Sequence, residues 1–407
     1  VGYTAEDCAR SRLDFPALQA GDTGAPLAYL DGPGGSQVPN AVIDAIRDVY
    51  VHCNVNTHGH FGPSREVDRR MQAARRAVAD FLGARDESSI SFGQNMTTLN
   101  YALSGAIART LSAGDEILIT ELDHEANRGP WLRLAERGIV VCEVRLQESG
   151  ELDTTDMAAK ITARTKLLAL GGSSNALGTV NDLVLARRLT REVGAWLVID
   201  AVHYAPHFPL DVEALGVDFL LCSGYKFYGP HVGILYSAPG ALARLPTDRL
   251  RTQDPAPPFR IETGTLNHAA IDGVRAAIHY LAGWGRGATL RERLVDAMTG
   301  ISAYEHGLAT FFYESVGGIP GVTRWGPSFA VAQRAPTVSI TLRDHRPDAA
   351  ANALGARNIC VWNGDFYAAK AVEVLGLASR GGLLRTGISM YNTRAEIIRL
   401  LEGIEAL

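Results

Sequence analysis

The chain has 407 residues, more than one average domain, so two domains or one large α/β domain with an appendage are expected. Hydrophobic residues make up 46% and charged residues 20%, a balance that excludes a disordered, acidic-tail or coiled-coil protein. With 39 basic against 44 acidic side chains the net charge is -5, which leaves no electrostatic footprint for nucleic acid or an anionic membrane.

The opening VGYTAEDCARSRLDF carries charges where a signal peptide needs an apolar core, and apolar runs such as 117–120 and 196–199 are too short to span a bilayer. A cytoplasmic chain without a membrane partner is the expectation. Gly- and Pro-rich DGPGGSQVP (31–39) precedes a helix, NAVIDAIRDVYV. The loop HCNVNTHGHFG (51–61) holds histidines at 52, 58 and 60, but the carboxylates and cysteines of a metal site are not arranged around them. RRMQAARR (69–76) reads as a solvated or dimer-facing helix face. Five cysteines, at 8, 53, 142, 222 and 360, fit neither a disulfide framework nor CxxC zinc spacing.

From about residue 100 onward two textures alternate. Strand-like EILIT (116–120), GIVVCEVRL (138–146), KLLALGG (166–172), AWLVIDAV (195–202), VDFLLCSG (217–224) and GILYS (233–237) are separated by helical spacing over 100–111, 127–137 and 183–194. Such βα units predict a mostly parallel sheet buried on both faces. QDPAPP (253–258) reads as a surface connection. Beyond about residue 270 come helices over 271–284 and 287–313, strand-like TVSITLR (337–343) and NICVW (358–362), and helical 347–355, 367–376 and 393–405. This predicts a segment 1–30 packing on a small domain, a large domain over 31–285, and a small α+β domain over 286–407 that includes the bridging helix.

Chemistry concentrates at two strand ends. VIDAVHY places Asp200 and His203 just past one strand; LLCSGYKFYGP places Ser223, Tyr225 and Lys226 past the next. In an open parallel sheet both groups open into one crevice. An amine and a carboxylate there suit an aldehyde cofactor: lysine forms a Schiff base, and the acid keeps a pyridine nitrogen protonated so that the ring becomes an electron sink. Singly, Asp200 reads as a strand-end cap and Lys226 as a solvated amine; their paired spacing favours function. Lysine occurs at only four positions, 160, 166, 226 and 370, so few amines are available for such chemistry. FGQNMTTLNYAL (92–103) runs from a turn into a helix, so the amides of Asn95, Met96 and Thr97 could face a phosphate, or Asn95 could serve merely as a cap. His124, ending a strand in TELDHEAN, could stack on a planar ring or be a structural histidine. GTL (264–266) and SSNALGT (173–179) supply loop donors that ordinary turns also use.

These segments, with YLDGPGG, IDAVHYAPH, DFLLCSGYKFYGPHVGILY, ETGTLNH and LRTGISMYNT, resemble the pyridoxal-phosphate enzymes of the class V aminotransferase family, in the cysteine-desulfurase-like branch. The resemblance runs in order from about residue 29 to the C-terminus. It implies fold type I, with a mainly parallel seven-stranded sheet in the large domain, a small C-terminal domain, and a homodimer with active sites at the interface. Carried over position by position, it makes Lys226 the cofactor-binding lysine, Asp200 the pyridine partner and His124 the stacking ring. Asn175 falls near the cofactor's phenolic oxygen. His203 stands where desulfurases usually have glutamine. Ser223 and Tyr225 fall on phosphate positions, and Thr265 would reach the phosphate of the other subunit. Arg385 would grip the substrate carboxylate through its fork. By position the 51–61 loop lines the neighbouring site, with Asn56 or His58 at substrate.

One departure bears on the reaction. Desulfurases place a nucleophilic cysteine on a loop after the strand matching NICVW; here VWNGDFYAAK puts Tyr367 at or near that position. Cys360 lies seven residues earlier, up to roughly 20 Å away along an extended chain. Without a thiol, the leading reading is a C–S lyase acting on a cysteine S-conjugate or a similar small-molecule amino acid, with Lys226 as base. Tyr367 or Asp365 would protonate the leaving group or shape the pocket. Desulfuration, transamination or epimerisation, decarboxylating or oxidative deamination, and a non-catalytic scaffold are the alternatives.

Overall fold

The protein is described by a computed structural model covering residues 2–19, 26–330 and 333–407. A short strand β1 (Ala28–Tyr29) leads into the large layer. Its sheet holds β2 (Ile90–Gly93), β3 (Glu116–Thr120), β4 (Val140–Val144), β5 (Thr165–Gly171), β6 (Trp196–Asp200), β7 (Phe219–Ser223) and β8 (Gly233–Ser237), in the order β2-β8-β7-β6-β5-β3-β4. Only β8 runs against the others. Every residue of β3, β6 (bar Trp196) and β7 is buried, as expected for strands covered by helices on both faces. Each buried Leu, Ile or Val side chain contributes roughly 1.5–3 kcal/mol of transfer free energy.

The strand order reverses between β3 and β5: the chain leaves β3 towards β4 on one side and leaves β5 towards β6 on the other. Loops diverging from two adjacent carboxyl ends leave a crevice, and ligands of open α/β sheets occupy that position. Helices 96–108 and 125–132 flank it. The second contains Pro130, which has no N–H to offer the carbonyl of Ala126; Asn100 Nδ2 donates to that carbonyl instead at 2.9 Å. The helix therefore survives its proline and is tied to its neighbour.

A second, antiparallel sheet joins β9 (Val322–Trp325), β10 (Thr337–Leu342), β12 (Trp362–Gly364) and β13 (Leu383–Gly387) in the order β12-β13-β10-β9, while β11 (Ile359–Cys360) pairs in parallel with β1. The long helix Leu290–Val316 begins with a capping box between Thr289 and Glu292 and packs Leu308 and Phe312 into the core with Ile340, Leu354 and Ile397. Helix Ala5–Arg12 lies against this region: Arg12 meets Glu396 at 2.9 Å and Tyr3 packs edge-on to Trp284 and Tyr304.

Three expectations need correction. NICVW is two strands, because Ile359 turns into the core while Trp362 joins another sheet and remains exposed. The helix expected over 367–376 spans only Ala369–Val374, since Phe366 and Tyr367 have φ of 57° and 59° and cannot belong to a right-handed helix. The 69–76 face is not simply solvated: Arg75 is buried and grips Glu262 through two contacts of 2.6 and 2.7 Å. On helix Gly62–Leu82 it shares the inward face with Ala74 and Val78.

Candidate active site

The crevice opens into a cavity of about 690 Å³. Its walls include Asn95, Met96, Thr97, His124, Asn175, Asp200, His203, Ser223, Tyr225, Lys226, Tyr367 and Arg385, so twelve residues singled out in the sequence meet in one place. Thr265, Asn56, His58 and Asp365 are not among its lining residues. Thr265, Asn56 and His58 are exposed, and His58 leans on Asp68 at 3.5 Å. Asp365 is held by its own loop, its carboxylate accepting from the amide of Tyr367 at 2.9 Å.

The floor is made of strand ends. Lys226 sits in a single helical turn after β7, and its Nζ donates to the carbonyl of Pro33 in the Gly-rich segment. Burial, and next the nearby Arg385 guanidinium, bring its amine down to about 7. At neutral pH a substantial share is therefore unprotonated and nucleophilic. Asp200 ends β6, and the amide of Val202 donates to its Oδ1 at 2.9 Å. Burial pushes its carboxyl up to about 6. Beside it stands Asp123, raised to about 7 by burial and then by the charge of Asp200, while accepting from Gly171 N at 2.9 Å and Asn127 Nδ2 at 3.0 Å. A cationic ring nitrogen is what would keep Asp200 ionised there.

The walls are polar at one end and aromatic at the other. Asn95 caps helix 96–108 by accepting from Thr98 N at 2.9 Å, and Met96 and Thr97, whose amides lie in the first helical turn and have no acceptor within the helix, line the cavity, where they could hold an anion. His124 Nδ1 accepts from Ala126 N at 2.9 Å, so its proton sits on Nε2. Burial, then Lys226 and Arg385, hold the ring near 4 and hence neutral, suited to stacking. His203 Nε2 lies 3.0 Å from Thr337 Oγ1, and behind it His207 Nδ1 is 2.8 Å from the buried Glu305 Oε2. Arg385 Nη2 donates to Asp31 Oδ1 at 2.8 Å and Nη1 to the carbonyl of Asn175 at 3.1 Å, over the face of Phe366 at 4.3 Å.

The residues present fit a phosphorylated pyridine aldehyde. Amine, carboxylate, neutral imidazole and free helix amides converge, and the buried Ser173 Oγ and Arg385 Nε at the cavity wall have no hydrogen-bond partner. The model of the aminotransferase class-V family matches residues 28–400. The chain belongs to the class V aminotransferase family. It is a pyridoxal-phosphate-dependent enzyme of fold type I. The cysteine desulfurase of Pectobacterium atrosepticum is 32% identical over 98% of this chain and 97% of its own length, and that of Serratia proteamaculans 33% over the same shares. Among solved structures, cysteine desulfurase CsdA from Escherichia coli superposes with a TM-score of 0.85 at 26% identity, covering 98% of both chains. The apo cysteine desulfurase of Thermococcus onnurineus NA1 reaches 0.87 at 26%, covering 98% of this chain and 97% of its own.

None of the five cysteines, all of them described and free, lines the cavity. Cys360 is half-buried on β11, with its thiol raised by burial. Sequence reasoning passed over Asp31, Asp123, Tyr101, Trp362 and Phe366, all lining residues. Asp123 precedes His124 within a quoted motif, and Asp31 lies in the Gly-rich turn; a carboxylate beside each of two strand-end motifs was the signal available. No helix among the described residues is long and apolar enough to cross a membrane.

Proposed function

We propose that this enzyme is a C–S lyase that eliminates the β-substituent of a cysteine S-conjugate. Water and R–S–CH₂–CH(NH₃⁺)–COO⁻ give R–SH, pyruvate and ammonium. When bound, pyridoxal phosphate supplies a protonated pyridine ring that accepts the electron pair left at an amino acid's α-carbon. Lys226 would hold its aldehyde carbon, Asp200 its ring nitrogen, His124 its face, Asn175 and His203 its phenolic oxygen, and Met96, Thr97, Ser223 and Tyr225 its phosphate.

Arg385 orients the substrate. Its fork would take the α-carboxylate, with the guanidinium plane fixed by its contacts to Asp31 and Asn175, and would thereby present the Cα–H bond to Lys226. Lys226, with its amine at about 7, removes that proton near neutrality. The C–S bond would then break with the thiolate departing towards Tyr367, a residue of the cavity wall whose hydroxyl would donate a proton. Asp365, whose Oδ1 accepts from the amide of Tyr367, would shape the loop that carries this donor.

The observation that carries this reading is a cavity with the amine, the acid and the carboxylate clamp but without a thiol to accept sulfur. A second reading, removal of sulfur from free cysteine, is favoured by the names of the relatives. Incubation with S-methyl-L-cysteine separates them: pyruvate with equimolar methanethiol supports the lyase, and alanine from L-cysteine without pyruvate contradicts it. We also read the chain as domains over 31–285 and 286–407 with segment 1–30 on the smaller. In this reading it is a cytoplasmic homodimer in which Thr265, Asn56 and His58 complete the other subunit's site.

A further inference from the structure

Three of the six exposed aromatic side chains among the described residues, Tyr101, Trp362 and Tyr367, line this one cavity, with exposures of 44%, 56% and 72%. Scattered surface aromatics need no explanation; a cluster at the mouth of a catalytic cavity does. Two observations show that their placement is built. Trp362 lies directly opposite Arg385 in the antiparallel pairing of β12 with β13, so both side chains project from the same face of the sheet. The loop that follows holds Gly364, Phe366 and Tyr367 at φ of 115°, 57° and 59°. For two aromatic residues this conformation is strained by about 1–3 kcal/mol each. It is held by Asn175 Nδ2 donating to the carbonyl of Phe366 at 2.8 Å, by Glu125 N donating to the carbonyl of Tyr367 at 2.7 Å, and by Tyr367 N donating to Asp365. The Tyr367 ring is thereby set 5.5 Å from that of His124.

A substrate whose carboxylate sits on Arg385 therefore sends its side chain out past Trp362 and Tyr367. Among the described residues of one subunit, Lys226 and Arg385 are the only Lys or Arg lining the cavity, so that path offers no further cation for a second acid. We propose that this rim selects amino acids whose β-substituent ends in a ring with an apolar face, packed between Trp362 and Tyr367. The inference rests on the lyase reading for the reaction but not for the recognition. One ring packed on another is worth roughly two- to tenfold in affinity, so the two contacts together give roughly four- to a hundredfold discrimination.

The test uses the holoenzyme and two pairs of probes. S-benzyl- and S-methyl-L-cysteine report kcat/KM for pyruvate; O-benzyl- and O-methyl-L-serine, with poor leaving groups, report Kd through the change in cofactor absorbance. The benzyl member is expected to be preferred by about tenfold in Kd. Trp362→Ala should cut that preference roughly two- to tenfold, and Tyr367→Phe, which keeps the ring, should retain it. A tenfold Kd preference without any pyruvate would support the rim and remove the lyase reading. Pyruvate from both conjugates with equal Kd values in the wild-type enzyme would leave the lyase standing and overturn the rim, as would a preference left undiminished by Trp362→Ala.

Discussion

The floor of the cavity and its rim are built in opposite ways. The floor is the carboxyl edge of a parallel sheet: Asp200, Ser223 and Lys226 follow buried strands whose positions are fixed by the core, with each backbone partner supplied by a neighbouring strand. The rim is a loop in left-handed backbone conformations, held by three hydrogen bonds to Asn175, Glu125 and Asp365. A floor of this kind serves any amino acid that the cofactor can activate. A rim of this kind can change without disturbing the core, which is why the proposed substrate selection is placed there.

Substitutions on the two sides should separate accordingly. In the proposed reading Lys226→Ala removes the base and the cofactor's covalent anchor, and turnover should fall by at least about 10³-fold for every substrate. Retained activity would break the distinction at once. Asp200→Asn leaves the ring nitrogen without an anionic partner, and kcat should drop on the order of 10²-fold, again regardless of side chain. Arg385→Lys, at the junction of floor and rim, exchanges a fork for a point charge and leaves Asp31 and the carbonyl of Asn175 short of donors. KM should rise roughly 10- to 100-fold with a smaller change in kcat. Cys360→Ser, outside the cavity, should leave kcat/KM within about twofold; a large loss with the fold intact would restore the desulfurase reading.

The pH dependence of cofactor uptake sharpens the picture of the floor. A free lysine loses its proton near 10.4, whereas Lys226 does so at about 7 because burial and Arg385 disfavour the ammonium. The rate at which apoprotein takes up pyridoxal phosphate should therefore rise as pH increases through about 7 and flatten above it. A rate still climbing towards pH 10 would mean that the amine is not desolvated.

The same contrast explains what was legible in the sequence. Strands β3 to β8 and the residues at their tips follow from apolar runs ending in polar groups, and their convergence follows from the topology of an open sheet. Asp123 was hidden because an acid next to a histidine in a loop has no spacing signature; it becomes notable only once β3 and β6 bring it beside Asp200. Trp362 and Phe366 were hidden because sheet exchange after Cys360 and positive φ at two aromatic residues contradict local preference, and nothing local announces such a conformation. β1 and β9, of two and four residues, owe their existence to a partner 331 positions away (Ala28 to Ile359) in the first case and to a hairpin-like return in the second.

The central claim is that Lys226 and Asp200 hold one cofactor between them. The direct test is borohydride reduction of the holoenzyme followed by proteolysis and mass mapping of the pyridoxyl group. With four lysines in the chain, a single modified peptide, containing Lys226, is expected. A pyridoxyl group on Lys160, Lys166 or Lys370, or on none of the four, would contradict it.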